Sequence, residues 1–120
     1  MEYVSTILVA LVAIEHAYIL VLEMFLWEKN RTRKIFGLKK EDVKTTKIFA
    51  ANQGLYNGFL SAGLIWGLVH PNVLTGTEIQ LFFLSCVLIA ALFGGFTVKK
   101  TIILVQGLPA LLALGSLFFV

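Results

Sequence analysis

The stretch IFAANQGLYNGFLSAGLIWGLV, residues 48–69, contains no Asp, Glu, Lys or Arg, yet it carries Asn52, Gln53, Tyr56 and Asn57 close together. Crossing a hydrocarbon core of about 30 Å takes about 20 helical residues, and this run is long enough. Residues 3–27, 78–98 and 101–120 are apolar over comparable lengths. The chain has 120 residues, 58% of them hydrophobic and 14% charged. A soluble domain carries about 25% charged residues, and one this small cannot hide so much apolar surface. The expectation is an all-α polytopic membrane protein: a four-transmembrane-helix bundle forming one domain over residues 1–120.

The joints between the segments have their own chemistry. His70-Pro71-Asn72 stops the second segment, because proline cannot continue a helix and disfavours it in the residue before. Thr75-Gly76-Thr77-Glu78 has the pattern of a capping box opening the third. The turn at Lys99-Lys100 is short, so the last two helices must be antiparallel neighbours.

Charge sets the orientation. The chain has ten Lys and Arg. Lys29, Arg31, Arg33, Lys34, Lys39, Lys40, Lys44 and Lys47 follow the first segment, and Lys99 and Lys100 follow the third. The positive-inside rule places both loops in the cytoplasm and both termini outside, as in a multi-pass protein of the plasma membrane. The basic residues lack the interleaved aromatics of a nucleic-acid surface, so no nucleic-acid partner is expected. Membrane lipids are the expected surroundings, and the first loop is placed to meet anionic headgroups. Cys86 is the single cysteine, which rules out an intrachain disulfide. Met-Glu-Tyr at the start lacks a basic n-region, so no removable signal peptide is expected.

Ionisable and amide groups at membrane depth mark functional sites by default. At about 100° per residue, His16 and Glu23 lie about 20° apart on the first helix, with Trp27 and Ser5 on the same line. Glu15 flanks that face. On the second helix Asn52, Gln53, Tyr56 and Asn57 share one arc, while Gly54 and Gly58 belong to a neighbouring small-residue arc and Leu55 and Phe59 to a lipid-facing one. With about 1.5 Å of rise per residue, Glu23, Asn52, Gln53, Thr97 and Gln106 all fall in the cytoplasmic half. Pro109 lacks an N–H and frees the Val105 carbonyl beside Gln106. These residues together predict a polar cavity inside the bundle, nearer the cytoplasmic leaflet and closed to the outside.

EHAYILVLEMFLW (residues 15–27), ANQGLYNGFLSAGLIWGL (51–68), LFGGFTVKK (92–100) and VQGLPALLAL (105–114) resemble the family of small membrane proteins known as domain of unknown function 1304. The likeness runs over essentially the whole chain, one motif per helix in the same order. It implies a four-helix membrane fold and brings no activity with it. Glu15, His16, Glu23, Trp27, Asn52, Gln53, Tyr56, Asn57, Thr97, Gln106 and Pro109 match its motifs. At Phe93-Gly94-Gly95-Phe96-Thr97 the chain departs from the family's usual Gly-x-Tyr/Phe-Gly-Ala-x-Thr.

Three functions fit these residues. The first is binding or transport of a small lipophilic or cationic compound. Glu23 and His16 would be the ion-pairing or proton-exchanging groups, lined by Asn52, Gln53, Tyr56, Asn57, Gln106, Trp27 and Thr97. The second is an intramembrane acid–base enzyme, isomerase-like, acting on a lipid, isoprenoid or quinone-like substrate, with Glu15, His16 and Glu23 as the catalytic set. The third is a structural or accessory subunit. No metal or other cofactor is expected: His16 is the one histidine inside a segment, and His70 lies at the opposite surface. Any homo-oligomer should be parallel, because ten basic residues against none disfavours dual topology.

Overall fold

The computed structural model describes residues 2–119, and every regular element among them is helical. Helix α1 (Glu2–Met24) is followed by a short helix α2 (Asn30–Phe36) and a 3-10 turn (Lys40–Asp42). Helices α3 (Val43–Val69) and α4 (Val73–Thr97) come next, then a π-helical segment (Ile103–Gly107) that runs into α5 (Leu108–Leu117). Two helical stretches are long and apolar enough to cross a membrane, Tyr3–Met24 and Val73–Thr97. Helix α3 is 27 residues long, but Asn52, Gln53, Asn57 and its glycines dilute its hydropathy.

Four boundaries differ from the sequence expectation. The first helix stops at Met24 rather than continuing to Trp27. The Leu26 N–H bonds back to the Val21 carbonyl, a five-residue closure that turns the chain away. The second helix begins at Val43, because the polar run Lys44–Lys47 continues the helix that the apolar pattern starts only at residue 48. The third begins at Val73, where the Asn72 side chain accepts the Thr75 N–H at 3.1 Å. Asn72 is therefore the cap, and Thr75 lies inside the helix instead of opening it.

The expected continuous helix over residues 101–120 is the fourth difference. The Leu108 N–H bonds to the Ile103 carbonyl, a spacing of five residues. Pro109 explains it. Inside an α-helix its ring would press on the Val105 carbonyl and its missing N–H would leave that group unpaired. A π turn is one way to accommodate the lost bond before α5 resumes.

The chain divides into two compact units. One contains the residues up to Ile14 together with those from Leu60 onward. Its core draws on four helices: Val9, Val12 and Ala13 from α1, Leu64 from α3, Leu84 and Val87 from α4, and Ala110 and Ala113 from α5. Small residues set how closely these helices approach. A Cβ on Gly76 would lie 2.5 Å from the Gly67 carbonyl oxygen, and one on Gly63 would lie 2.4 Å from the Phe83 ring. Helix backbones brought this near gain van der Waals contact that larger side chains at these positions would prevent.

The other unit is Glu15–Phe59. Trp27, Val43 and Ala50 form its small core, with Phe36 and Leu38 packed on them. The Trp27 and Phe36 rings are tilted, with centroids 5.1 Å apart. Helix α2 ends at Gly37, whose φ of 64° is left-handed and lets its N–H reach the Arg33 and Lys34 carbonyls. That turn returns Leu38 to the core under Trp27.

Gly76→Ala should lower stability by about 1–3 kcal/mol, because backbone rather than a mobile side chain stands in the way. Gly115 has no atom within 4 Å of its would-be Cβ, so Gly115→Ala should be neutral or stabilising by up to about 1 kcal/mol. Thermal unfolding in detergent distinguishes the two; equal effects would contradict the packing described.

Candidate functional site

Within Glu15–Phe59 the end of α1 and the start of α3 run antiparallel, joined at three levels. Near the start of α3, the exposed Lys47 ammonium bonds the Glu28 carboxylate. Lys47 also holds Glu28 below the usual carboxylate range. Beside it, Trp27 Nε1 donates to Thr46 Oγ1 at 3.1 Å, and Thr46 Oγ1 donates to the Asp42 carbonyl at 2.6 Å. Deepest along α3, Asn57 Nδ2 donates to Glu23 Oε1 at 2.6 Å.

Glycine makes that last bond reachable. A Cβ on Gly54 would lie 3.0 Å from Glu23 Cβ, 3.2 Å from the Leu20 carbonyl and 2.6 Å from Met24 Cγ. A Cβ on Gly58 would meet Leu20 Cδ1 at 2.5 Å. The Gly54-x-x-x-Gly58 stripe is therefore the surface on which α1 rests. Glu23 is held over it, only 9% exposed. Asn57 also donates to the Gln53 carbonyl at 3.1 Å, which fixes its amide along its own helix.

This arrangement corrects the inward polar arc. Asn57 does turn toward Glu23, but Asn52 and Gln53 are exposed and Tyr56 is 53% exposed, with its ring edge-on to Phe59. The helical period correctly groups these residues on one side. It does not say which side faces the neighbour, and backbone proximity at Gly54 and Gly58 decides in favour of the small residues. The polar arc is thus an open strip beside the Glu23–Asn57 bond, not the wall of an enclosed space.

The remaining candidates separate. His16 is buried, with Nδ1 3.8 Å from Glu15 Oε1, which itself accepts no hydrogen bond. Trp27 is a core residue whose indole N–H is taken by Thr46. Thr97 belongs to the four-helix unit, where it is exposed and donates to the Phe93 carbonyl of its own helix at 2.7 Å. Gln106 also belongs there, half-buried in the π-helical segment. Among the described residues no three His, Cys, Asp or Glu side chains gather as a metal site would require.

One feature of the four-helix unit escaped the sequence reading. A cavity of about 130 Å³ is lined by Ser5, Thr6, His70, Thr77 and Gln80, together with apolar neighbours. Buried Gln80 donates to the Gly67 carbonyl at 3.1 Å, across the Gly67–Gly76 contact. The signal was present in Thr77, Gln80 and the Ser5-Thr6 pair. Placing the third helix start at residue 78 put Thr77 outside it and left Gln80 at its edge.

Comparison with known proteins fits a chain of this kind. A family model described as protein of unknown function (DUF1304) matches residues 10–118. The uncharacterised protein YpaA of Lactococcus lactis subsp. lactis (strain IL1403) is 37% identical over 121 residues, covering 99% of this chain and 100% of that protein. No solved structure matches.

Asn57→Ala should destabilise the protein by about 1.5–3 kcal/mol, because a buried carboxylate loses its side-chain donor. Asn52→Leu, on the open strip, should stay within about 0.5 kcal/mol. Thermal melts of both variants in one detergent test this. Loss of stability in Asn52→Leu alone would place the strip inside after all.

Proposed function

This chain belongs to the DUF1304 family, and we propose that it is an integral membrane protein that binds, and passes on, a small lipophilic cation at the α1–α3 polar face. In this reading the four apolar segments cross the plasma membrane, with the basic loops in the cytoplasm and both termini outside. Two apolar helices of spanning length support it, as does the confinement of Lys and Arg to two loops on one side.

One observation carries the binding reading: among the described residues, buried Glu23 has one side-chain donor, Asn57, next to exposed Asn52, Gln53 and Tyr56. A carboxylate has about four acceptor positions, so one amide leaves it able to take a cation. A permanently charged, greasy compound gains from Tyr56 by cation–π contact and from Glu23 by charge. The exposed amides supply hydrogen-bond partners that lipid cannot. Asn57, bonded to both Glu23 and its own helix, is the group the cation displaces.

Tetraphenylphosphonium is a suitable probe. Glu23→Gln should weaken its binding to detergent-solubilised protein by about tenfold or more, the scale of a lost charged contact. Tyr56→Leu should weaken it by a few-fold. Binding indifferent to Glu23→Gln would sink the proposal. The topology is tested separately by reporter fusions to the C-terminus, which should report outside; equal signal on both sides would contradict a fixed orientation.

The acid–base alternative rests on the Glu15 and His16 side chains, 3.8 Å apart. It predicts that a lipid or isoprenoid is chemically converted, and that Glu15→Gln abolishes conversion while tetraphenylphosphonium binding persists.

A further inference from the structure

The basic loop holds a second site, independent of the α1–α3 polar face. A groove of about 480 Å³ is bordered by Asn30, Arg33, Lys34, Gly37 and Leu38. Arg33 is its central group. Nη1 donates to Asn30 Oδ1 at 3.3 Å, which steadies one corner of the guanidinium. Nε is buried and has no acceptor. No carboxylate pairs with Arg33 among the described residues: the ion pairs there are Glu28 with Lys47 and Glu15 with His16.

With Nε enclosed by the protein, only the Nη groups of the guanidinium can reach a ligand. The N–H groups on Nη1 and Nη2 can meet two oxygens of one oxyanion, a fork that an ammonium lacks. Thr32, one residue away and 1% exposed, likewise has an Oγ1 without a partner. Lys34 adds a second cation on the groove itself. Lys29, Arg31, Lys39 and Lys40 lie on the same loop, against Glu41 and Asp42 in the 3-10 turn.

The surroundings indicate where the oxyanion comes from. Ile35, on α2, is 45% exposed, and Phe25, just before the loop, is 72% exposed. Exposed apolar side chains on and just before the segment that carries a cationic groove suit the boundary between headgroups and acyl chains. A free anion would make no use of them. We infer that this groove binds the phosphate of an anionic lipid headgroup, with Arg33 gripping two phosphate oxygens and Lys34 neutralising the remaining charge. The inference takes from the proposed function only the placement of this loop at the membrane surface; it does not depend on cation binding at Glu23.

Native mass spectrometry of the full chain in detergent, with phosphatidylglycerol, phosphatidic acid or phosphatidylcholine added, tests it. Anionic lipid adducts should exceed phosphatidylcholine adducts, and Arg33→Gln should reduce them by about tenfold. Arg33→Lys keeps the charge and loses the fork, so it should reduce them nearly as much. Lys44→Gln removes the same charge from an exposed position off the groove, and should change them by less than about twofold. Equal losses in Arg33→Gln and Lys44→Gln would overturn the site in favour of diffuse attraction, as would phosphatidylcholine held as well as phosphatidylglycerol. Inorganic phosphate, titrated by phosphorus NMR, is the soluble arm. Its binding at Arg33 without retention of anionic lipid would overturn the lipid assignment.

Discussion

The Glu23–Asn57 hydrogen bond over Gly54 is the constraint on which the Glu15–Phe59 unit depends. A carboxylate can be buried beside a helix only if something donates to it. Asn57 donates at 2.6 Å, and it can do so because Gly54 lets the α1 backbone come within contact distance of α3. Replacing the glycine separates the helices, and replacing the amide strands the charge. The two requirements explain why an otherwise apolar helix alternates glycines with amides: the glycines set the distance and the amides use it.

The four-helix unit meets a related problem with the same means. Its core consists of aliphatic residues with alanines on α5, and its closest approaches at glycine occur at Gly95, Gly63, Gly76 and Gly67. Where glycine cannot help, at Pro109, the backbone absorbs the strain by widening into a π turn. That segment contains Gln106, so a side chain expected on a regular helix is carried on an irregular one. Two direct polar bonds between helices here are made to backbone carbonyls: Ser61 donates to Ala13 at 2.8 Å and Gln80 to Gly67 at 3.1 Å.

Much of this could be read from the residues, for physical reasons that also mark where the reading ended. The four apolar segments are helical in whole or in part because nothing within them stops a helix until His70-Pro71 or Pro109. The small stripe of Gly54 and Gly58 was legible as a packing face because glycine on a helix otherwise serves little purpose. The outward orientation of Asn52, Gln53 and Tyr56 was not, because periodicity fixes angles within a helix and says nothing about which arc a neighbour selects. Helix α2 was hidden among basic residues whose charge spoke for topology and concealed their local structure. The Thr75–Glu78 capping pattern was overridden by Asn72, a better-placed cap three residues earlier. Trp27 lined up with Glu23 and His16 on the helical period, but the helix ends at Met24, and beyond that point the period no longer applies.

The account stands on Glu23 and Asn57 acting as a coupled pair. A double-mutant cycle with Glu23→Gln and Asn57→Leu, read as reversible unfolding free energy in detergent, measures that coupling directly. The account predicts a coupling of at least about 1 kcal/mol, the range for residues sharing a hydrogen bond. Additive effects, with coupling near zero, would contradict it.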